Sequence, residues 1–290
     1  MSSLKSEHSV NHGPLFLQRI QQLVSVLSDT LMGYFNSSDL VVNHKADQSP
    51  VSEADYSAQA LIEEHLSDWL PGVPLLSEEG PKEAFDDRKA WSRYWLVDPL
   101  DGTREFIAKR PEFSVNIALI EEGLPVWGLL LMPGLKHFFF GGPGLGVMFG
   151  EIGQNFEHYQ PLQGQSYRLN LLPADTLGVA ASRHYGREFV ERFSAELEEP
   201  SELVVSGSAV KFAHMVRGDV AVYPRFTPVC EWDLAAGHAL LLGVGGEVFD
   251  SDGRPWRYNQ KARLDEVTFL AVSRKQDFER FYPVWQHHLR

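Results

Sequence analysis

The chain has 290 residues, with 43% hydrophobic side chains including 18 Phe and 7 Trp, which is ample for a large buried core in one domain or two closely packed ones. Its 39 acidic and 26 basic groups leave a net charge of −13, which argues against a general binder of DNA or RNA backbones because such proteins carry a basic face. A single cysteine, Cys230, excludes an internal disulfide or a thiolate zinc site and points to a reducing compartment.

Residues 1–13 read as a flexible tail, polar and without the apolar segment of a signal peptide. From Leu15 to Tyr34, apolar residues at Leu17, Ile20, Leu23, Val24, Leu27 and Leu31 recur with helical spacing. A polar stretch over 35–50 follows, ending in Lys45-Ala-Asp47-Gln-Ser-Pro50. Ser52-Glu-Ala-Asp55 has the pattern of a capping box and opens a helix to about Trp69, stopped by Pro71-Gly72. A short strand at Val73–Leu76 leads to Ser77-Glu78-Glu79-Gly80, then a charged loop over 81–90. Trp95 to Val97 reads as a buried strand. Ser114–Ile120 and Pro125–Leu131 form a hairpin about Glu121-Glu122-Gly123. Strands continue through Phe140, and Gly141–Gly150 reads as a glycine-rich turn without the spacing of a phosphate loop. Beyond 166, strands at 166–171, 177–181, 202–205 and 219–223 alternate with helices at 186–198 and 208–217. A last helix runs from near Trp232 through Leu242. The predicted class is α/β, with an α+β N-terminal half over 14–165 and an α/β C-terminal half over 166–290. No apolar run approaches the ~20 residues needed to span a bilayer, so a cytoplasmic protein is expected, free or peripheral at the inner membrane.

The densest chemistry lies at Asp98-Pro-Leu-Asp101-Gly-Thr103. The strand delivers Asp98 to its end, Pro99 interrupts the ladder, and Gly102 permits a sharp bend. Two carboxylates and a hydroxyl thus leave one turn, a set suited to hard divalent cations acting on phosphates. A surface Asx turn with solvated acids is the alternative from spacing alone. Asp55 and Asp233, each in the first turn of a helix, equally suit caps, and Glu78-Glu79 equally suits a solvated pair. Cys230 reads as a small core residue, and His287-His288 as a surface pair without a metal role.

Four motifs in order, Lys45-x-Asp-x-Ser-Pro-Val-Ser-x-Ala-Asp55, Ser77-Glu78-Glu79, Asp98-Pro-Leu-Asp101-Gly-Thr103 and Glu231-Trp-Asp233-x-Ala-Ala-Gly237, resemble the metal-dependent, lithium-sensitive phosphatase superfamily that includes inositol monophosphatase. The likeness spans roughly 15–285. Asp101-Gly-Thr-Arg104-Glu-Phe106, Ser206-Gly-Ser-Ala-Val-Lys211 and Tyr223-Pro-Arg225-Phe resemble its bacterial bisphosphate nucleotidase branch, although Arg104 stands where Lys is common and Ala209-Val210 where Ser-Leu is usual. The resemblance implies a layered αβαβα sandwich and two or three Mg²⁺ ions. One would be held by Glu78, Asp98 and the Leu100 carbonyl, another by Asp98, Asp101 and Asp233. It implies that Thr103, hydrogen-bonded to Asp55, orients and deprotonates the attacking water. Gly102 and Thr103 amides would hold phosphate oxygens, and Ser206, Gly207 and Ser208 would cradle the nucleoside. Lys211 and Arg225 would take a second phosphate, with Asp233 also facing substrate. The implied reaction removes the 3′-phosphate from adenosine 3′,5′-bisphosphate, or from its sulfated precursor, by a monomer or homodimer. Inositol or sugar phosphate hydrolysis is the enzymatic alternative, and a catalytically silent phosphometabolite-binding protein the other.

Overall fold

Tyr94 and Leu96 turn to one face of their strand and Trp95 and Val97 to the other, as successive strand side chains must, and every one of them is buried. A strand buried on both faces requires a layer on each side. The computed structural model, which describes residues 13–38, 42–44, 50–162, 172–173 and 175–289, supplies those layers. Its elements are α1 (Pro14–Asn36), β1 (Val42–His44), β2 (Pro50–Ser52), α2 (Glu53–Trp69), β3 (Leu75–Ser77), α3 (Phe85–Arg88), β4 (Arg93–Asp101), α4 (Thr103–Ile107), β5 (Ser114–Glu121), β6 (Leu124–Met132), β7 (His137–Gly142), β8 (Gly146–Glu151) and β9 (Gln160–Pro161). There follow β10 (Leu177–Ser182), α5 (Arg187–Ala195), β11 (Ser201–Ser206), α6 (Val210–Arg217), β12 (Val222–Val229), α7 (Glu231–Gly243), β13 (Glu247–Phe249), β14 (Val267–Val272) and α8 (Phe278–His288).

One sheet has seven strands in sequence order from β3 to β9, and a second has the order β11-β10-β12-β14-β13; β1 and β2 form a small ladder of their own. Trp95, Val97, Ile117, Leu129 and Phe138 pack beneath α1 and α2. Leu96, Ala118, Leu130 and Phe139 pack on the other face against residues of α6 and α7. The second sheet closes over those helices, and its outer face packs Val179, Val222 and Leu270 against Phe193 of α5 and Phe281 and Trp285 of α8. The result is the five-layer αβαβα order implied by the resemblance. Because α7 lies between two sheets, it is apolar all round rather than amphipathic. At Gly128 of β6 a Cβ would stand 2.6 Å from the Ala236 carbonyl oxygen, so glycine is what lets α7 lie so close.

The helices expected over Leu15–Tyr34 and Ser52–Trp69 and the hairpin at 121–123 form as read. Gly141–Gly150 forms a turn only at 143–145, where Leu145 N–H meets the Gly142 carbonyl at 3.1 Å; the rest belongs to β7 and β8, which pair from Gly142↔Gly146 to His137↔Glu151. Its strand glycines serve close approach, since a Cβ on Gly150 would meet the Phe138 ring at 2.3 Å. The loop over 81–90 contains the short α3, and the strand expected over 219–223 starts at Val222 and runs to Val229. The strand expected at 166–171, the tail over 1–12, Lys45–Ser49 and the expected division near residue 165 lie outside the described residues.

Candidate active site

The strand β4 ends in a break of register. Asp98 pairs with Asn116 and Asp101 with Ser114, so β4 spends an extra residue where Pro99 cannot donate to the ladder. The bulge lets both Asp98 and Asp101 face the second sheet. Gly102 follows at φ +89, and α4 begins at Thr103. Asp98 is 2% exposed, with Oδ1 accepting from the Leu100 amide at 3.0 Å. Glu78 comes just after β3, which runs parallel to β4. Asp233 comes from the first turn of α7. Glu78, Asp98 and Asp233 bring carboxylate oxygens within 4.8 Å of one another.

Each of the helix-start acids closes its helix and also reaches a second group. Asp55 Oδ2 accepts from the Ser52 amide at 2.8 Å and its hydroxyl at 2.7 Å, completing the cap of α2. Its other oxygen, Oδ1, lies 3.4 Å from Thr103 Oγ1, whose hydroxyl also reaches the Leu100 carbonyl at 3.2 Å. Asp233 Oδ2 likewise accepts from the Cys230 amide at 3.0 Å, capping α7, while the side chain still joins the acidic cluster.

Burial pushes the Asp98 carboxyl well up, and Glu78, Asp101 and Asp233 push it further. Burial raises Asp233 in the same way, with Asp101 and Glu78 adding to it. Asp101 is raised to about 6 by burial, against the opposing pull of the Lys211 ammonium and the Asn116 amide. The Cys230 thiol is also pushed up by burial and these carboxylates, which leaves it protonated and unreactive. A dry cluster of like charges is costly unless a cation joins it, and an all-oxygen donor set fits a hard divalent ion. The sign of the pH dependence follows. A carboxyl whose folded pKa lies above its ordinary 3.8 stabilises the fold at low pH, and that contribution is lost as pH rises through the folded value, near 6 for Asp101. In EDTA, Tm is expected to fall across that window, and the gain in Tm on adding Mg²⁺ to be larger at pH 8 than at pH 5. Thermal denaturation at the two pH values checks this; an equal gain at both would contradict it.

The cluster opens into a cleft of about 210 Å³ between the sheets' strand ends. Glu78, Asp101, Gly102, Thr103, Gly207, Ser208, Lys211, Arg225 and Asp233 line it. Asp98, Leu100, Asp55 and Ser206 lie just behind that lining, each about 2% exposed. Lys211 is buried and donates to the Ser206 carbonyl at 3.2 Å and to that of Ser208, so it braces the turn as well as facing Asp101. Arg225 donates from Nε to the Thr227 carbonyl at 2.8 Å. Its guanidinium and that of Arg104 stand 5.9 and 5.5 Å from the Tyr185 ring.

Several residues in the cleft or bonded to its lining carry no signal in the local sequence. Asn116 donates to Asp101 Oδ2 at 3.3 Å, Glu112 takes the Gly207 amide at 2.8 Å and pairs with Arg183, and His184 meets the buried Glu105 at 2.6 Å. Ser182, His184 and Tyr185 also line the cleft. One signal for this group existed: β10 and β11 are parallel and end together at Ser182↔Ser206, and ligands of α/β sheets gather at such carboxyl ends. Outside the cleft, Glu196 pairs with His287 at 3.2 Å and His288 at 3.1 Å; His287 is exposed and His288 largely covered.

A family model described as the inositol monophosphatase family matches residues 16–281. The chain belongs to the inositol monophosphatase family. Membership agrees with the αβαβα layers and the carboxylate cluster, for the family is metal-dependent. Within it, the chain is 35% identical over 246 residues to the 3′(2′),5′-bisphosphate nucleotidase CysQ of Salmonella typhimurium, covering 84% of this chain and 94% of that protein. It is 32% identical over 252 residues to the CysQ nucleotidase of Buchnera aphidicola, covering 87% and 90%. The crystal structure of CysQ from Bacteroides thetaiotaomicron superposes with a TM-score of 0.72 at 32% identity, over 90% of this chain and 99% of that one. An inositol monophosphatase of Thermotoga maritima shares the fold at 22% identity, with a TM-score of 0.71 over 94% of this chain and 97% of that one. Among the described residues no helix is long and apolar enough to cross a membrane.

Proposed function

We propose that the protein is a 3′(2′),5′-bisphosphate nucleotidase, a phosphoric monoester hydrolase that takes the 3′-phosphate from adenosine 3′,5′-bisphosphate and leaves AMP. The observation that carries this is one cleft lined both by acids of the carboxylate cluster, with Lys211 beside Asp101, and by Arg104, Arg225 and Tyr185. A nucleotide bisphosphate has two anionic groups and an aromatic base, and such a cleft suits all three. Relatives named as CysQ nucleotidases at 30–35% identity support the same activity. A sulfated 5′ group would suit the cationic residues equally, in keeping with a cytoplasmic role in sulfur metabolism.

Magnesium is the ion we assign, to Glu78, Asp98, Asp101, Asp233 and the Leu100 carbonyl, where a divalent cation would neutralise charge on the phosphoryl oxygens. The protein's own groups do the rest. Thr103 takes a proton from the attacking water while passing its own to Asp55, the water oxygen bonds to phosphorus, and the bond from phosphorus to O3′ breaks. The leaving O3′ is protonated from solvent. Amides of Gly102 and Thr103 hold phosphate oxygens, and Ser206, Gly207 and Ser208 hold the nucleoside. Lys211 keeps one N–H beyond the two carbonyls it braces, and Arg225 keeps several, for the 5′-phosphate.

Phosphate release with Mg²⁺ from adenosine 3′,5′-bisphosphate, inositol 1-phosphate and fructose 1,6-bisphosphate tests this reading. A kcat/KM favouring the nucleotide by about 100-fold, roughly 2.7 kcal/mol of transition-state binding, is expected. Preference for the inositol or sugar phosphate would overturn the substrate and keep the chemistry.

A further inference from the structure

Glu78 and Asp233 belong to segments remote in sequence, and a divalent ion held between them requires their spacing to be set within a few tenths of an ångström. Two side chains that follow Glu78 in the chain reach the opening of α7, one directly and one through Asn259. Lys82 donates Nζ to the backbone carbonyls of Ser77 and Glu78, and the same ammonium lies 4.6 Å from the centroid of the Trp232 ring, the neighbour of Asp233. One cation therefore contacts both ligand-bearing segments.

The second span is longer and wholly buried. Arg88, 2% exposed, donates to Asn259 Oδ1 and to the carbonyls of Lys261 and Ala262, the latter two at 2.9 and 2.6 Å. Asn259 returns a bond from Nδ2 to the Arg88 carbonyl at 2.6 Å. Its backbone N–H meets both carboxylate oxygens of Glu231, at 3.2 and 2.9 Å. Glu231, 3% exposed, opens α7 two residues before Asp233, and its own amide is held by the Leu264 carbonyl at 2.8 Å. Asn259 has φ +59, a conformation that asparagine tolerates better than most residues. A buried chain of cation, amide and carboxylate is expensive unless every member is satisfied, and here each member has partners. None of Lys82, Arg88, Asn259 and Glu231 lines the cleft, so none is placed to touch substrate.

We propose that Lys82 and the Arg88–Asn259–Glu231 chain are positioning residues that set the distance between Glu78 and Asp233, and through it the affinity for the divalent ion. This rests on the reading of Glu78, Asp98 and Asp233 as ligands. Outer partners of metal ligands of this kind are worth roughly 10–100-fold in metal affinity.

The test follows Mn²⁺ binding to the full-length protein by the EPR signal of the free ion, beside Tm in EDTA and the Mg²⁺ concentration giving half-maximal phosphate release. The proteins compared are wild type, Lys82→Met, Glu231→Gln, Arg88→Lys and Asp98→Asn. Lys82→Met and Glu231→Gln are expected to weaken Mn²⁺ binding by about 10–100-fold and to raise the half-maximal Mg²⁺ concentration in step. Their kcat at saturating Mg²⁺ should stay within about threefold of wild type, because no reacting atom is touched. If Arg88→Lys fails to fold, the other two variants still decide the matter. A lower Tm with unchanged Mn²⁺ affinity would show a merely structural role and overturn the proposal. Should Asp98→Asn also bind Mn²⁺ as wild type does, the ligand reading itself falls and the proposal with it. Loss of binding in Asp98→Asn alone would reject the braces and keep the ligands.

Discussion

Asp98→Asn is expected to lower kcat by at least about 10³-fold, roughly 4 kcal/mol of transition-state stabilisation, at any Mg²⁺ concentration. Asp98 accepts from the Leu100 amide through Oδ1, and its carboxylate still has lone pairs for the cluster, where Glu78 and Asp233 converge on it. An amide in its place carries no charge, and in one of its two orientations it points N–H donors at the ion. The fold should not suffer in parallel. Burial and three neighbouring carboxylates all disfavour the charged form of Asp98, so removing that charge relieves repulsion that the metal-free protein carries. Tm in EDTA is therefore expected to equal or exceed that of wild type, most visibly at pH 8. Phosphate release and thermal denaturation on one preparation measure both. Activity near wild type would refute the assignment of Asp98, and an inactive protein with a much lower Tm would make the loss structural rather than chemical.

Thr103→Ala should lower kcat by about 10²–10³-fold while leaving KM and Mn²⁺ affinity close to wild type, which is the range of a single proton-transfer group. The hydroxyl lies between the Leu100 carbonyl and Asp55 Oδ1, beside the carboxylate cluster but outside it. Thr103→Ser retains the hydroxyl and should keep most of the rate. Asp55→Asn is the informative partner because Asp55 has two tasks. Its Oδ2 accepts from the Ser52 amide and hydroxyl, so the substitution is also expected to cost about 1 kcal/mol of stability through the cap. If Thr103 and Asp55 act as one relay, the double variant should lose little more rate than either single one. Multiplicative losses would separate their roles, and a large change in Mn²⁺ affinity on Thr103→Ala would place the hydroxyl among the ligands instead.

α1 and α2 were legible because helical periodicity and the Ser52–Asp55 box are contained within a few turns of chain. The β4 turn was legible because proline and glycine act on their own backbone. The Gly141–Gly150 stretch is legible only in its turn, where Gly144 and Gly146 have positive φ; Gly142 and Gly150 instead make room for Val126 and Phe138, which no local pattern reveals. β13, β14 and α8 went unread. β13 is three residues long, and Pro283 sits inside α8, where a proline normally argues against helix.

The sequence alone determined the chemical kinds present at the site, the acids, the hydroxyl and the bend that aims them, since each depends on residues within hydrogen-bonding reach along the chain. It left Asp55 and Asp233 open between a helix cap and a place in the site. Only the tertiary structure shows that each closes its helix and also meets a second group, Asp55 through its other oxygen at Thr103 and Asp233 beside Glu78 and Asp98. It alone brought Glu78 against Asp233, Lys82 against Trp232, and Arg104 and Arg225 against Tyr185. Those meetings depend on α7 lying between two sheets with its first turn at their strand ends, and packing of that kind is set by the summed burial of side chains remote in sequence.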